Sequence, residues 1–177
     1  MKKLTLLLLV LVFGLAGCGR HSGSGPAGSE NKPDDFSVIL DWATGPMPDP
    51  QMYYSYTIQV GPSGEGRLHY QSGDRSLELD LTFPVSEESF LQLYELCYEQ
   101  GAFKSKREKG EPIDGGPDMS IQIFAGGKSF SYSSVSELSE NERSIVYAVA
   151  GKVREIVPGE LWDEMNQLQL NYQTSQD

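Results

Sequence analysis

The chain contains 177 residues, and its 25 acidic side chains outnumber its 14 lysines and arginines to give a formal net charge of −11. A domain this acidic, without a basic stripe, is a poor candidate for a nucleic-acid binder, because phosphate neutralisation dominates such affinity. Its charge is also repelled by anionic lipid, so we do not expect the folded part to lie flat on a membrane.

The N-terminus has the composition of a secretory signal peptide. Two lysines precede an apolar run from Leu4 to Ala16. This run is too short for a permanent membrane span, which needs about 20 apolar residues. We therefore assign residues 1–17 to a signal peptide.

The end of that segment, Leu15-Ala16-Gly17-Cys18, resembles the bacterial lipobox. The resemblance implies that Cys18 is acylated, as with palmitate, and anchors a bacterial lipoprotein on the extracytoplasmic side of a cell-envelope membrane. One acyl chain binds a bilayer only marginally, so the anchor needs more than one chain. The alternative is an ordinary signal peptide followed by an incidental cysteine. Gly19 leaves both outer-membrane sorting and a Gram-positive origin open.

Residues 18–35 comprise the expected lipidated cysteine and a predicted flexible tether, because Gly, Ser, Pro and charged residues leave almost no apolar side chains there. A tether of this composition has a root-mean-square span of roughly 20 to 25 Å. The pattern is globular from residue 36, and the length of 36–177 suits a single domain.

Apolar and polar residues alternate with the period of half-buried strands before the first helix. The segments concerned are 36–42, 54–60, 68–70 and 77–83. A turn centred on residues 73–74 would place His69 opposite Glu78 and Arg67 opposite Asp80 on the solvent face. A slip of one residue would bury these charges, so the sequence specifies which face each residue occupies.

Two later segments carry helix signals. Ser86 is a predicted N-cap and Gly101 a predicted helix stop, while Ser139–Glu142 has the form of a capping box. Between the two helices, Gly126-Gly127 suits a two-residue hairpin turn. A short amphipathic tail follows the second helix. These elements predict an α+β domain of two layers, with an antiparallel β-sheet of hairpins and two α-helices packed on one face.

Residues suited to catalysis are scarce. His21 and His69 are the only histidines, and no His/Cys cluster with zinc spacing can be assembled. We expect His69 to pair with a carboxylate in solvent, and a hydrolase that uses His69 with a serine nucleophile is the alternative. Cys97 lies on the apolar side of the first helix, where a free cysteine behaves as a small hydrophobic residue. The sequence therefore predicts no enzyme, no cofactor and no metal site.

Four residues form a predicted interaction surface, namely Tyr53, Lys104, Lys106 and Arg107. Tyr53 is out of phase with the core-facing tyrosines that follow it, and tyrosine is enriched at interfaces. The three cations lie in a long loop, and the alternative is that they complement the dipole at the end of the preceding helix. We expect a non-catalytic domain that binds another envelope or secreted protein and no nucleic acid.

From Leu77 to Val157 the predicted order is strand, Ser-capped helix ending near Gly101 and Phe103, hairpin, and helix. This order, with the Phe83 to Phe103 segment, resembles emfourin-type inhibitors of thermolysin-like metalloproteases and other small secreted domains. The resemblance covers about half the chain and implies protease inhibition as an alternative function. It carries no diagnostic motif, so it assigns no inhibitory residue.

Overall fold

The computed structural model of the chain describes residues 31–49 and 52–174. The predicted signal peptide, Cys18 and most of the predicted tether lie outside these residues. The strands are β1 (Ser37–Ala43), β2 (Tyr54–Val60), β3 (Glu65–Ser72), β4 (Glu78–Pro84), β5 (Asp118–Ala125) and β6 (Lys128–Tyr132). The helices are α1 (Glu87–Glu99), α2 (Glu140–Ile156) and α3 (Gly159–Thr174).

The strands form one antiparallel sheet in the order β4-β3-β2-β1-β5-β6. Side chains alternate between its two faces, as the sequence pattern requires. One face, which we call the core face, is apolar and is covered by the helices, whereas the opposite open face is polar. The most deeply buried side chains of the core face are Val38, Leu40, Ile58, Val60, Leu68, Tyr70, Ile121, Ile123 and Tyr132. The predicted two-layer α+β fold is confirmed.

The first two helices pack side by side over the core face. Along α1, Phe90 contacts Phe36 at the start of β1, with ring centroids 5.3 Å apart. Beyond the end of α1, Phe103 contacts Phe130 of β6 at 5.5 Å. The helix therefore crosses the sheet toward β6, and α2 then packs over β5, β1 and β2.

Helix termini follow the sequence signals. The Ser86 hydroxyl accepts the N–H of Ser89 at the start of α1. After α1, Gly101 adopts φ +65° and the N–H of Ala102 donates to the Cys97 carbonyl at 2.8 Å. This left-handed residue with its backward hydrogen bond is the expected glycine helix stop.

The predicted short tail is a full third helix of 16 residues, α3. It lies over β2 and β3, where the Trp162 ring packs edge-on against Tyr56 at 5.3 Å. Further along, Met165 is buried and Gln169 accepts a hydrogen bond from the Tyr70 hydroxyl. The sequence predicted only a short tail here, because few residues of this helix are apolar and one of its buried residues is a glutamine.

The two hairpin registers differ in how well the sequence predicted them. Gly126 and Gly127 form the turn between β5 and β6 with φ of 59° and 71°, and Ile123 pairs with Phe130 as expected. In the β3–β4 hairpin, however, His69 pairs with Asp80 instead of Glu78, a shift of two residues. The predicted pairing was therefore wrong, but every side chain remains on its predicted face because the shift is even.

The sheet has two distinct ends, which we call the tether end and the loop end. At the tether end, β1 begins near the β2–β3 and β5–β6 turns. At the loop end, Ala43 at the end of β1 pairs with Ser55 of β2 and Asp118 of β5. The seven residues of β1 separate these ends by about 20 Å, at about 3.3 Å per residue.

The chain enters the domain at the tether end. The Asn31 carbonyl accepts a hydrogen bond from the Tyr94 hydroxyl at 3.3 Å. The Asp35 carboxylate accepts the backbone N–H groups of Gly126 and Gly127 at 2.7 and 2.6 Å. Residues 31–35, which the sequence assigned to the tether, therefore contact the folded domain.

Candidate interaction surface

The loop end is formed by two long connections that approach each other. The first loop joins β1 to β2 and comprises residues 44–53, and the second joins α1 to β5 and comprises residues 100–117. Gly45 and Gly116 bring their backbones together, since a Cβ on Gly45 would overlap the Gly116 carbonyl. A cleft of about 380 Å³ lies between the loops.

The second loop is fixed to the start of α2 by backbone pairing. Lys109 forms an antiparallel bridge with Leu138, and the N–H of Ser139 donates to the Glu108 carbonyl at 3.2 Å. The Glu142 carboxylate accepts the N–H of Glu108 at 3.1 Å. The predicted capping box is thus only half formed, because Ser139 caps α2 as expected while Glu142 holds the loop.

Arg107 connects the second loop to the edge of the sheet. Its guanidinium lies 3.5 Å from the centre of the Tyr132 ring, and its Nε donates to the Ser131 carbonyl at 2.9 Å. One terminal nitrogen lies 4.0 Å from the Glu142 carboxylate. Only 19% of the Arg107 side chain is exposed, so most of its surface is committed to contacts within the protein.

The four predicted interaction residues lie in these two loops but do not converge. Tyr53 lines the cleft and is half-buried, and its hydroxyl accepts the N–H of Met47 at 3.0 Å. Lys104 and Lys106 are exposed in the second loop and do not line the cleft. Only Tyr53 of the four therefore reaches the space between the loops.

Exposed apolar side chains mark the same end of the domain. Of the seven large apolar residues exposed in the described chain, Met47, Met52 and Ile113 lie on the two loops, with 38%, 44% and 42% of their surface exposed. Of these three residues, Ile113 lines the cleft together with Asp114 and Asp118. The sequence does not predict this surface, because isolated apolar residues in a Pro/Gly-rich loop show no periodicity.

The open face of the sheet carries His69, the residue that the alternative hydrolase would use. His69 Nδ1 lies 2.9 Å from the Asp80 carboxylate, and both side chains are well exposed. Thr57, which pairs with His69 across the strands, donates instead to Asp41 at 2.7 Å. Within the described ranges, no group of His, Cys, Asp and Glu side chains is arranged to hold a metal ion.

Cys97 is fully buried on α1, and burial raises its pKa to about 12.

Among the helices of residues 31–49 and 52–174, none combines the length and hydropathy needed to cross a bilayer.

Neither a protein-family model nor a curated protein sequence matches this chain.

Proposed function

We propose that this protein is a bacterial cell-envelope lipoprotein, anchored through Cys18, whose non-catalytic domain binds another protein at its loop end. The proposal rests on the arrangement of the domain, in which the point where the chain enters and the exposed apolar loops lie at opposite ends. The chain enters at the tether end, where Asp35 contacts the β5–β6 turn. The exposed apolar residues of the two loops lie at the opposite end.

This arrangement of the two ends suits a membrane-anchored binding domain. Twelve residues lie between Cys18 and Asn31, and the thirteen residue-to-residue steps that join the two extend at most about 45 Å. Anchoring at Cys18 therefore keeps the tether end near the membrane and favours presentation of the loop end to the periplasm or exterior. Lipid contact is left to the acyl chains, in keeping with a net charge of −11.

The chemistry of the loop end indicates what it would recognise. Exposed Met47, Met52 and Ile113 offer apolar contact area, and methionine adapts to differently shaped partners. Asp114 and Asp118 supply negative charge in the cleft that Ile113 also lines. The fitting partner is a protein surface with apolar side chains flanked by lysine or arginine, where charge steers association and apolar burial supplies affinity.

The anchor is tested by metabolic labelling with palmitate in bacteria that express the full chain. Cys18→Ala should abolish incorporation and leave an uncut precursor. Cys97→Ala is the matched control, since it removes the only other cysteine and should leave labelling intact. Palmitate in the Cys18→Ala protein would refute the anchor.

The binding surface is tested by photo-crosslinking in intact cells. A photoreactive amino acid at Ile113 should give a discrete crosslinked protein product, because Ile113 lies at the loop end. The same residue at Leu91 is the control, since Leu91 is equally exposed, at 42%, but lies on α1 beside Phe90, which packs on Phe36 at the tether end. Equal crosslinking from the two positions would show that exposure alone determines capture and would contradict the proposal.

A further inference from the structure

The two edges of the sheet differ in how far the rest of the domain covers them. At the β6 edge, Arg107 donates to the Ser131 carbonyl and covers the Tyr132 ring. Phe103 packs on Phe130, and Phe130 and Tyr132 are 3% and 0% exposed. At the β4 edge, no strand of the described chain pairs with the outer side.

The hydrogen-bond register shows which backbone groups of β4 face outward. The N–H of Ser72 donates to the Leu77 carbonyl, so the pair 72–77 is hydrogen-bonded. Hydrogen-bonded pairs recur every second residue in an antiparallel ladder. The N–H and carbonyl groups of Glu78, Asp80 and Thr82 therefore point away from β3 and form an open row.

The side chains along this edge divide into two chemically different rows. Leu77, Leu79 and Leu81 lie on the core face and are only partly buried, in contrast to the aromatic residues of β6. Glu78 and Asp80 lie on the open face and are exposed. The edge therefore presents an aliphatic row, a row of free backbone groups and an acidic row side by side.

These three rows define the complement that would pair with them. We infer that β4 accepts an extended segment of a partner protein in which lysine or arginine alternates with aliphatic residues. An added strand would place one set of side chains opposite Glu78 and Asp80 and the other set opposite Leu79 and Leu81, because neighbouring residues of a strand point to opposite faces. Opposite charges directly across a strand pair stabilise it.

A second copy of this chain is a poorer occupant of the same edge. Pairing β4 with β4 would add two further carboxylates to the acidic row, and like charges across a strand pair are destabilising. Charged residues and a proline such as Pro84 are also devices that prevent an edge from pairing with itself. Pro84 offers no N–H to any partner, whereas the carboxylates of Glu78 and Asp80 oppose self-association and favour a basic strand.

The test is a fluorescence anisotropy titration of the full chain with a labelled peptide in which lysine and valine alternate. A peptide of the same composition with its lysines and valines segregated is the control. We expect the alternating peptide to bind at least about tenfold more tightly. Thr82→Pro removes one outward N–H without changing charge and should weaken binding about tenfold, which corresponds to one lost hydrogen bond.

Two further measurements make the outcome decisive. Should Thr82→Pro disturb folding, hydrogen exchange of the unmodified chain replaces it, and the amides of Glu78, Asp80 and Thr82 should gain protection on peptide binding. Ile113→Ser should leave this binding unchanged, because the edge is separate from the loop end of the proposed function. Equal affinity for both peptides, or unaltered exchange at these amides, would overturn the inference.

Discussion

Glu142 provides the sharpest test of how the second loop is held in place. Its carboxylate accepts the Glu108 N–H at 3.1 Å and lies 4.0 Å from the Arg107 guanidinium. Its side chain is only 10% exposed. Removing one partner of a buried ion pair costs about 3–5 kcal/mol. This pair is long and partly solvated, so we expect Glu142→Gln, which keeps an acceptor oxygen for Glu108, to cost about 1–2 kcal/mol.

Glu142→Ala removes the acceptor as well as the charge. The partly buried N–H of Glu108 then loses its partner, which adds about 1 kcal/mol to the loss. Urea unfolding monitored by circular dichroism measures both variants, and hydrogen exchange reports on the loop. The Glu108 amide should exchange faster in Glu142→Ala and little faster in Glu142→Gln. Two variants as stable as the parent, with unchanged exchange at Glu108, would refute this account of the loop.

Three other perturbations test the core and the tether end. Val149→Asp places a carboxylate at a fully buried position of α2 and should cost more than about 3 kcal/mol, so an unchanged melting temperature would show that α2 does not cover the sheet. Among residues 31–49 and 52–174, the buried hydroxyl of Tyr56 has no hydrogen-bond partner, whereas the hydroxyl of Tyr70 is bonded. Tyr56→Phe should therefore keep or raise stability, while Tyr70→Phe should lower it by about 1 kcal/mol. The hydrogen bond from the Gly127 N–H is the main cause that holds the pKa of Asp35 below its usual 3.8. The stabilisation from Asp35 should therefore be complete above pH 3.8 and lost as the pH falls through the lowered pKa, and an NMR titration that places this pKa above 3.8 would contradict the contact.

The sequence predicted the faces of the sheet better than its registers. The pair Gly126-Gly127 predicted the register of the β5–β6 hairpin correctly, because two left-handed residues select a two-residue turn. In the other hairpin, Asp74 accepts hydrogen bonds from Ser72 and Ser76 and closes a four-residue turn. A turn closed by side-chain hydrogen bonds does not change the apolar pattern of the sequence. A register shift of two residues also leaves each side chain on the same face, so the alternating pattern is the same for both registers.

The candidate site was predicted in part. The sequence directed attention to Tyr53 and to the loop that carries Arg107, and both lie at the loop end. It could not show that Arg107 would stack on Tyr132, since that contact joins residues 25 positions apart. Nor could it show that Tyr53 and Ile113 line one cleft, because that depends on the approach of Gly45 to Gly116.

We propose that the membrane anchor joins the domain at the end opposite its interaction surface. Energy transfer tests it directly, with the acylated full chain in vesicles, an acceptor lipid, and a donor dye on a cysteine introduced at Met47 or at Pro62. Cys97 is fully buried with a pKa of about 12, so it does not compete for a maleimide dye. Pro62 lies at the tether end beside Lys32. We expect stronger transfer from position 62 than from position 47, and equal or reversed efficiencies would contradict the account.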